Sequence, residues 1–239
     1  MIRYIPSGDS AFIIKAGDVI SEEILITVRK LLKKLYEAEI AGVTGIIPSY
    51  NEIMVCYDPT VAGYKQIIGS LRTCEAGIES VELPESSTVH VPVIYGGEYG
   101  PDLQYVADIN SISPEEVVEI HCSAACLVYM LGFTPGFCYL GGMDPRIATP
   151  RRETPRMKIP AGAVGIAGHQ TGIYPIESPG GWQLIGRTPL RLFDPQKRSP
   201  FLFSAGDYVR FFPVTEQEYK SILTEVSNDC YTVRRTITT

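Results

Sequence analysis

The chain lacks the short motifs that assign many proteins by inspection. Neither G-x-G-x-x-G nor G-x-x-x-x-G-K-[ST] occurs, so no recognised nucleotide loop is present. There is no G-x-S-x-G, and no Ser-His-Asp or Cys-His arrangement can be read from the order of residues. The six cysteines, Cys56, Cys74, Cys122, Cys126, Cys138 and Cys230, include no C-x-x-C pair. A chain of 239 residues does not depend on a disulfide framework, so reduced and mostly buried thiols are expected. His121 with Cys122 and Cys126 begins a ligand list that no second cluster completes, and no metal is expected. Long apolar runs are also missing. The longest, 124–133, is about half the roughly 20 residues of a membrane helix. Residues 1–6 show no basic region leading into an apolar run, so no signal peptide is expected and the cytoplasm is the expected location. Positive charge is in deficit, with a net charge of -6, which argues against a general nucleic-acid binder.

What is present is an ordinary globular composition, 45% hydrophobic and 20% charged, enough for one large or two small domains. Residues 2–7 and 10–16 predict two strands. Ile24, Val28, Leu31 and Leu35 then recur at helical spacing. Two further strands, 45–47 and 52–57, precede a second helix from about Thr60 that buries Val61, Tyr64, Ile67, Ile68 and Leu71. The order β-β-α-β-β-α predicts a two-layer α+β domain over 1–82. Residues 82–88, polar and containing Pro84, read as a linker to a second domain over 89–239.

The second domain begins with a strand at 89–95, followed by a helix from about Asp102 and another opened by Ser113-Pro114-Glu115-Glu116. Short β segments follow at 127–131, 163–167, 172–176, 182–186, 190–193 and 208–212. Their Gly and Pro punctuation predicts a closed or nearly closed β-barrel. A last helix is expected over about 215–226, then a loosely ordered tail to Thr239.

Candidate site residues concentrate in 131–187. Arg146, Arg151, Arg152, Arg156 and Lys158 form a basic segment in an acidic protein. Arginine in a Pro-fixed loop suits carboxylate or phosphate, but a solvated loop or pairing with Asp144 and Glu153 would give the same pattern. His121, near a helix end, is either a structural residue or a proton carrier. Gln170, Thr171, Tyr174, Glu177, Gln183 and Arg187 make either a polar small-molecule pocket or the wet exterior of a barrel. The spacing of Gly162, Gly165 and Gly168 is read as turns and close backbone approach.

Several linked motifs carry a resemblance. They are Tyr95-Gly96-Gly97-Glu98-Tyr99-Gly100-Pro101-Asp102, Gly132-Phe133-Thr134-Pro135-Gly136-Phe137, Gly141-Gly142-Met143-Asp144-Pro145-Arg146 and Pro160-Ala161-Gly162. Gln170-Thr171-Gly172-Ile173-Tyr174-Pro175, Ser178-Pro179-Gly180-Gly181-Trp182, Gly186-Arg187-Thr188 and Ser204-Ala205-Gly206-Asp207 complete the set. Together they resemble the 5-oxoprolinase B-subunit family, which includes the Kip-type inhibitor of a sporulation histidine kinase and allophanate hydrolase subunit 1. The resemblance implies a cyclophilin-like barrel behind the small α+β domain. It also implies two partners, the C subunit of 5-oxoprolinase in direct contact and the A subunit. With them, 5-oxo-L-proline would be opened to L-glutamate using ATP, with Mg, as co-substrate. The alternative it implies is inhibition of a histidine kinase; no nucleic acid or membrane partner is implied. On that basis catalytic roles are expected for His121, Arg156 and Glu177. Substrate or anion binding is expected for Arg152, Gln170, Thr171, Gly172, Tyr174, Gln183 and Arg187. His169, Cys138 and Cys126 depart from the residues usual in the family at those places.

Overall fold

β1 (Arg3–Pro6) and β2 (Ala11–Lys15) pair antiparallel, and alternation along β2 sends Phe12 and Ile14 to a fully buried face. Ser21 caps α1 (Glu22–Glu37) by accepting from the Ile24 amide at 3.3 Å. Its buried stripe is Leu25, Val28, Leu31 and Leu35; Ile24, expected in that stripe, is only partly buried. β3 (Val43–Pro48) and β4 (Glu52–Tyr57) complete a four-stranded sheet of order β1-β2-β4-β3, and α2 (Tyr64–Glu75) follows. The helix starts at Tyr64 and not at Thr60. The Asp58 carboxylate accepts from the Thr60 amide and hydroxyl, at 2.8 and 2.6 Å, and holds 58–62 as a turn. Val61 therefore stays exposed. The buried faces of α1, α2 and the sheet share one core.

This computed structural model describes residues 2–237. It divides into two compact units, Met1–Pro84 and Glu85–Thr239.

In the second unit β5 (Ser87–Tyr95) is followed by α3 (Leu103–Asn110), α4 (Pro114–Ser123), β6 (Cys126–Leu131) and β7 (Cys138–Gly141). β8 (Arg156–Ile159), β9 (Ala163–Ala167), β10 (Gln170–Ile173), β11 (Ser178–Gly180), β12 (Gln183–Arg187) and β13 (Tyr208–Pro213) come next. α5 (Glu216–Ser227) and β14 (Arg235–Ile237) end the described chain. Seven strands close a barrel in the order β5-β12-β9-β10-β7-β6-β13, with β13 returning to β5 in parallel. The fold is α+β, a small two-layer domain followed by a β-barrel, as the element order predicts. Val89, Val91, Val128, Leu140, Ile166, Ile185 and Phe211 are among the side chains that fill the barrel core.

Four details differ from expectation. β7, β8 and β11 have no counterpart among the predicted strands, because three or four residues carry too little alternation to register. Residues 190–193 form no ladder, only an isolated Phe193–Phe201 bridge. β10 ends at Ile173 rather than running to 176, where Pro175 has no amide to donate. The tail is not loose throughout, since β14 pairs antiparallel with β5; Thr238 and Thr239 lie outside the described residues.

α4 shows why its start is legible. The Ser113 amide donates to Glu116 Oε2 at 2.8 Å, the Glu116 amide donates to Ser113 Oγ at 3.1 Å, and Pro114 occupies the first turn. Ser113→Ala should cost about 1 kcal/mol and lower Tm by about 2–4 °C. An unchanged thermal melt would show that the cap adds nothing to the packing of α4.

Candidate functional site

Three connections meet around Trp182: the β6–β7 turn, the loop 150–156 and the β11–β12 turn. The first is a tight turn in which the Gly132 amide donates to the Phe137 carbonyl at 3.0 Å. It holds Phe133 at φ 70°, in the left-handed region, although the residue is 61% exposed. A bulky residue there costs on the order of 1–2 kcal/mol, which is repaid only if the turn geometry has a use. The second connection is tied down by backbone bonds: the Arg152 amide donates to the Gly181 carbonyl at 2.7 Å. Gln183 Nε2 donates to the Pro150 carbonyl at 2.9 Å.

These segments enclose a cleft of about 240 Å³ walled by Phe133, Phe137, Tyr139, Tyr174 and Trp182. The rings meet edge to face, with Phe137 centred 5.4 Å from Trp182 at 84° and 5.1 Å from Tyr174 at 80°. Burial pushes the Tyr174 hydroxyl up to about 12, so it stays protonated. Arg151 lies over the Trp182 ring, its guanidinium carbon 5.9 Å from the centroid. Glycine at 172 permits the wall to close: a Cβ there would sit 2.9 Å from the Cys138 carbonyl oxygen and 3.0 Å from the Trp182 ring. A larger groove of about 580 Å³ in the first unit, lined by Lys34, Glu37, Glu39 and Cys74, offers no aromatic face.

The loop 150–156 also meets a buried carboxylate. Asp102, 5% exposed, takes Arg156 Nη2 at 2.8 Å and Arg152 Nη1 at 3.3 Å on Oδ1, and the Leu184 amide at 2.7 Å on Oδ2. Its own amide donates to the Leu184 carbonyl at 2.9 Å. The segment before it lies flat on β12, and only glycine fits at position 100, where a Cβ would be 2.0 Å from the Ile185 carbonyl oxygen. Arg156 retains one buried nitrogen, Nη1, without a partner.

His121 sits in the last turn of α4, 2% exposed and stacked on Phe211 with centroids 4.3 Å apart. Thr171 Oγ1 is 2.9 Å from its Nε2, and that hydroxyl donates to the Gly165 carbonyl at 3.1 Å. Because the hydroxyl has one proton, Nε2 must be the donor and Nδ1 the acceptor for the Tyr95 hydroxyl at 2.8 Å. Burial depresses the imidazole to about 3. The ring expected as a proton carrier is thus neutral, inside the barrel, with both nitrogens engaged.

The other expected site residues are placed as follows. Thr171 and Gly172 are buried in the barrel wall, and Gln170 is half-buried at the start of β10. Arg187 Nε donates to the Ala161 carbonyl at 2.8 Å. Glu177 is exposed and pairs with Lys158 at 3.1 Å. Arg152 and Arg156 pair with Asp102 instead of Asp144 or Glu153, and Arg146 takes Asp144 at 2.7 Å. Sequence reasoning misses Asp102 as the hub, since some fifty residues separate it from both arginines. It also passes over the aromatic wall, whose members look like ordinary core residues one by one.

The fold and its match to known proteins define a class first. The family model described as carboxyltransferase domain, subdomain C and D, matches residues 2–203. More particularly, the chain belongs to the 5-oxoprolinase B-subunit family. It is 46% identical over 223 residues to the 5-oxoprolinase B subunit of Bacillus subtilis, covering 89% of this chain and 92% of the relative. It is 41% identical over 209 residues to the protein of the same name from Escherichia coli O157:H7, covering 87% and 94%. The crystal structure of Kluyveromyces lactis urea carboxylase shares the fold, with a TM-score of 0.80 at 21% identity over 99% of this chain and 24% of that one. The names of the two bacterial relatives denote one component among others. Among the described residues no helix is long and apolar enough to cross a membrane.

Proposed function

We propose that the chain is the B component of an ATP-dependent 5-oxoprolinase that opens 5-oxo-L-proline to L-glutamate together with the A and C components. The observation that carries this reading is the end-to-end likeness to a curated B component, 46% identity over 92% of the relative. The chemistry agrees with a small, ring-walled cleft. A lactam carbonyl is a poor electrophile, and transfer of a phosphoryl group from ATP to its oxygen makes the carbon open to water. Ring opening then releases phosphate and leaves the amine and the second carboxylate of glutamate. Such a step calls for fixed cations around the developing charge and a site that excludes bulk water. In this reading the loop 150–156 and its arginines form the wall of the site, and the C component completes it.

Glutamate formation from 5-oxo-L-proline and ATP should require all three components. Omitting this chain should reduce the rate to background. An equal rate from the A and C components alone would remove the proposal.

A further inference from the structure

We infer that the Trp182 cleft seats a small flat ring bearing a carboxylate, and that Arg151 is the carboxylate's anchor. The identification of the ring as a five-membered lactam rests on the 5-oxoprolinase reading; the site itself rests on geometry.

The first observation concerns the cations. Between 146 and 191, Arg146 is held by Asp144, Arg152 and Arg156 by Asp102, Lys158 by Glu177 and Arg191 by Asp194, while Arg187 bonds the Ala161 carbonyl. Arg151 has no hydrogen bond or ion pair among the described residues, only the face of Trp182. A cation over a ring face at 5.9 Å engages none of the guanidinium N–H donors, which stay open for a carboxylate. Arg152 and Arg156 already direct donors to Asp102, and the unpartnered Arg156 Nη1 is buried, so Arg151 is the exposed arginine of this loop whose donors are open to an anion.

Size and shape supply the second observation. Sites for drug-sized ligands run to about 300–1,000 Å³, and this cleft is smaller at about 240 Å³. It has room for one small ring and not for a nucleotide. Its walls are ring faces and edges, which pack a flat ligand. Phe133, exposed at the lip in left-handed backbone, is placed to cover it.

Trp182 is the only tryptophan in the chain, so intrinsic fluorescence reads this cleft directly. The full chain would be titrated with 5-oxo-L-proline and with 2-pyrrolidinone, the same ring without the carboxylate. The same two titrations would be run by calorimetry on the assembled three-component complex. 5-Oxo-L-proline should give a saturable change, and 2-pyrrolidinone should bind about 10- to 100-fold more weakly, the worth of a hydrogen-bonded charge. Arg151→Gln should weaken 5-oxo-L-proline by about the same factor. It should leave 2-pyrrolidinone and thermal stability unchanged, because Arg151 is exposed. Equal affinity of Arg151→Gln and wild type for 5-oxo-L-proline would overturn the anchor. Absence of binding to both chain and complex would overturn the site. Failure of the enzymatic reading looks different: Arg151-dependent binding of the ring carboxylate would persist while the complex made no glutamate.

Discussion

Asp102→Ala should destabilise the second unit by about 3–5 kcal/mol, the cost of removing one partner from a buried ion pair. The substitution leaves two arginines and the Leu184 amide without their acceptor. Arg152 is 37% exposed at its side chain and Arg156 23%, so water recovers part of the loss and the lower end of the range applies. Asp102→Asn keeps an acceptor for Leu184 but no charge, and should fall between. The change should also release the loop 150–156 from α3 and β12, loosening the Arg151–Trp182 contact. Urea unfolding followed by Trp182 fluorescence reports this unit selectively. A loss below about 1 kcal/mol would show that the cluster behaves as an ordinary surface pair.

The second large effect is on pH. His121 titrates near 6.5 when unfolded and at about 3 in the folded protein. Between those values the unfolded chain binds the extra proton, so stability falls as pH drops. The penalty begins near pH 6.5, grows by about 1.4 kcal/mol per unit and is complete below pH 3, on the order of 5 kcal/mol in all. Exposed carboxylates held low, such as Asp58 and Asp144, lose their own contribution only at more acid pH. The window from pH 5 to 6.5 therefore isolates the histidines. His121→Gln retains an acceptor for Tyr95 and a donor for Thr171 but cannot titrate. Its stability should decline less across that window than that of the wild type. His90, also depressed by burial, is common to both proteins and cancels in the comparison. Parallel curves would mean that His121 is not the buried titrating group. His121→Ala, which also leaves a cavity beside Phe211, should cost about 3–5 kcal/mol at neutral pH.

Much of the architecture is legible in the sequence. The α1 helix, the β2 strand and the Ser113–Glu116 cap are local patterns and form close to where their residues predict, with Leu25 in place of Ile24 in the α1 stripe. The short strands β7, β8 and β11 are not legible, because their conformation is imposed by neighbours in the ladder and not by their own residues. The site is legible only in part. Its basic loop and its amides stand out, and the glycines at 162 and 165 read correctly as close-approach positions. Which arginine is free does not stand out. Arg151, Arg152 and Arg156 are alike in sequence, and the choice is made by a carboxylate at position 102.

The sequence by itself determined an α+β order ending in a barrel, because helical and strand periodicity, caps and turn residues act over a few neighbours, and its linked motifs carried the family resemblance. Tertiary structure alone decided the roles of individual side chains. It turned His121 inward, tied Arg152 and Arg156 to Asp102, and left Arg151 on the face of Trp182. Those outcomes depend on burial and on charges some fifty residues away in the chain, and no local pattern encodes either.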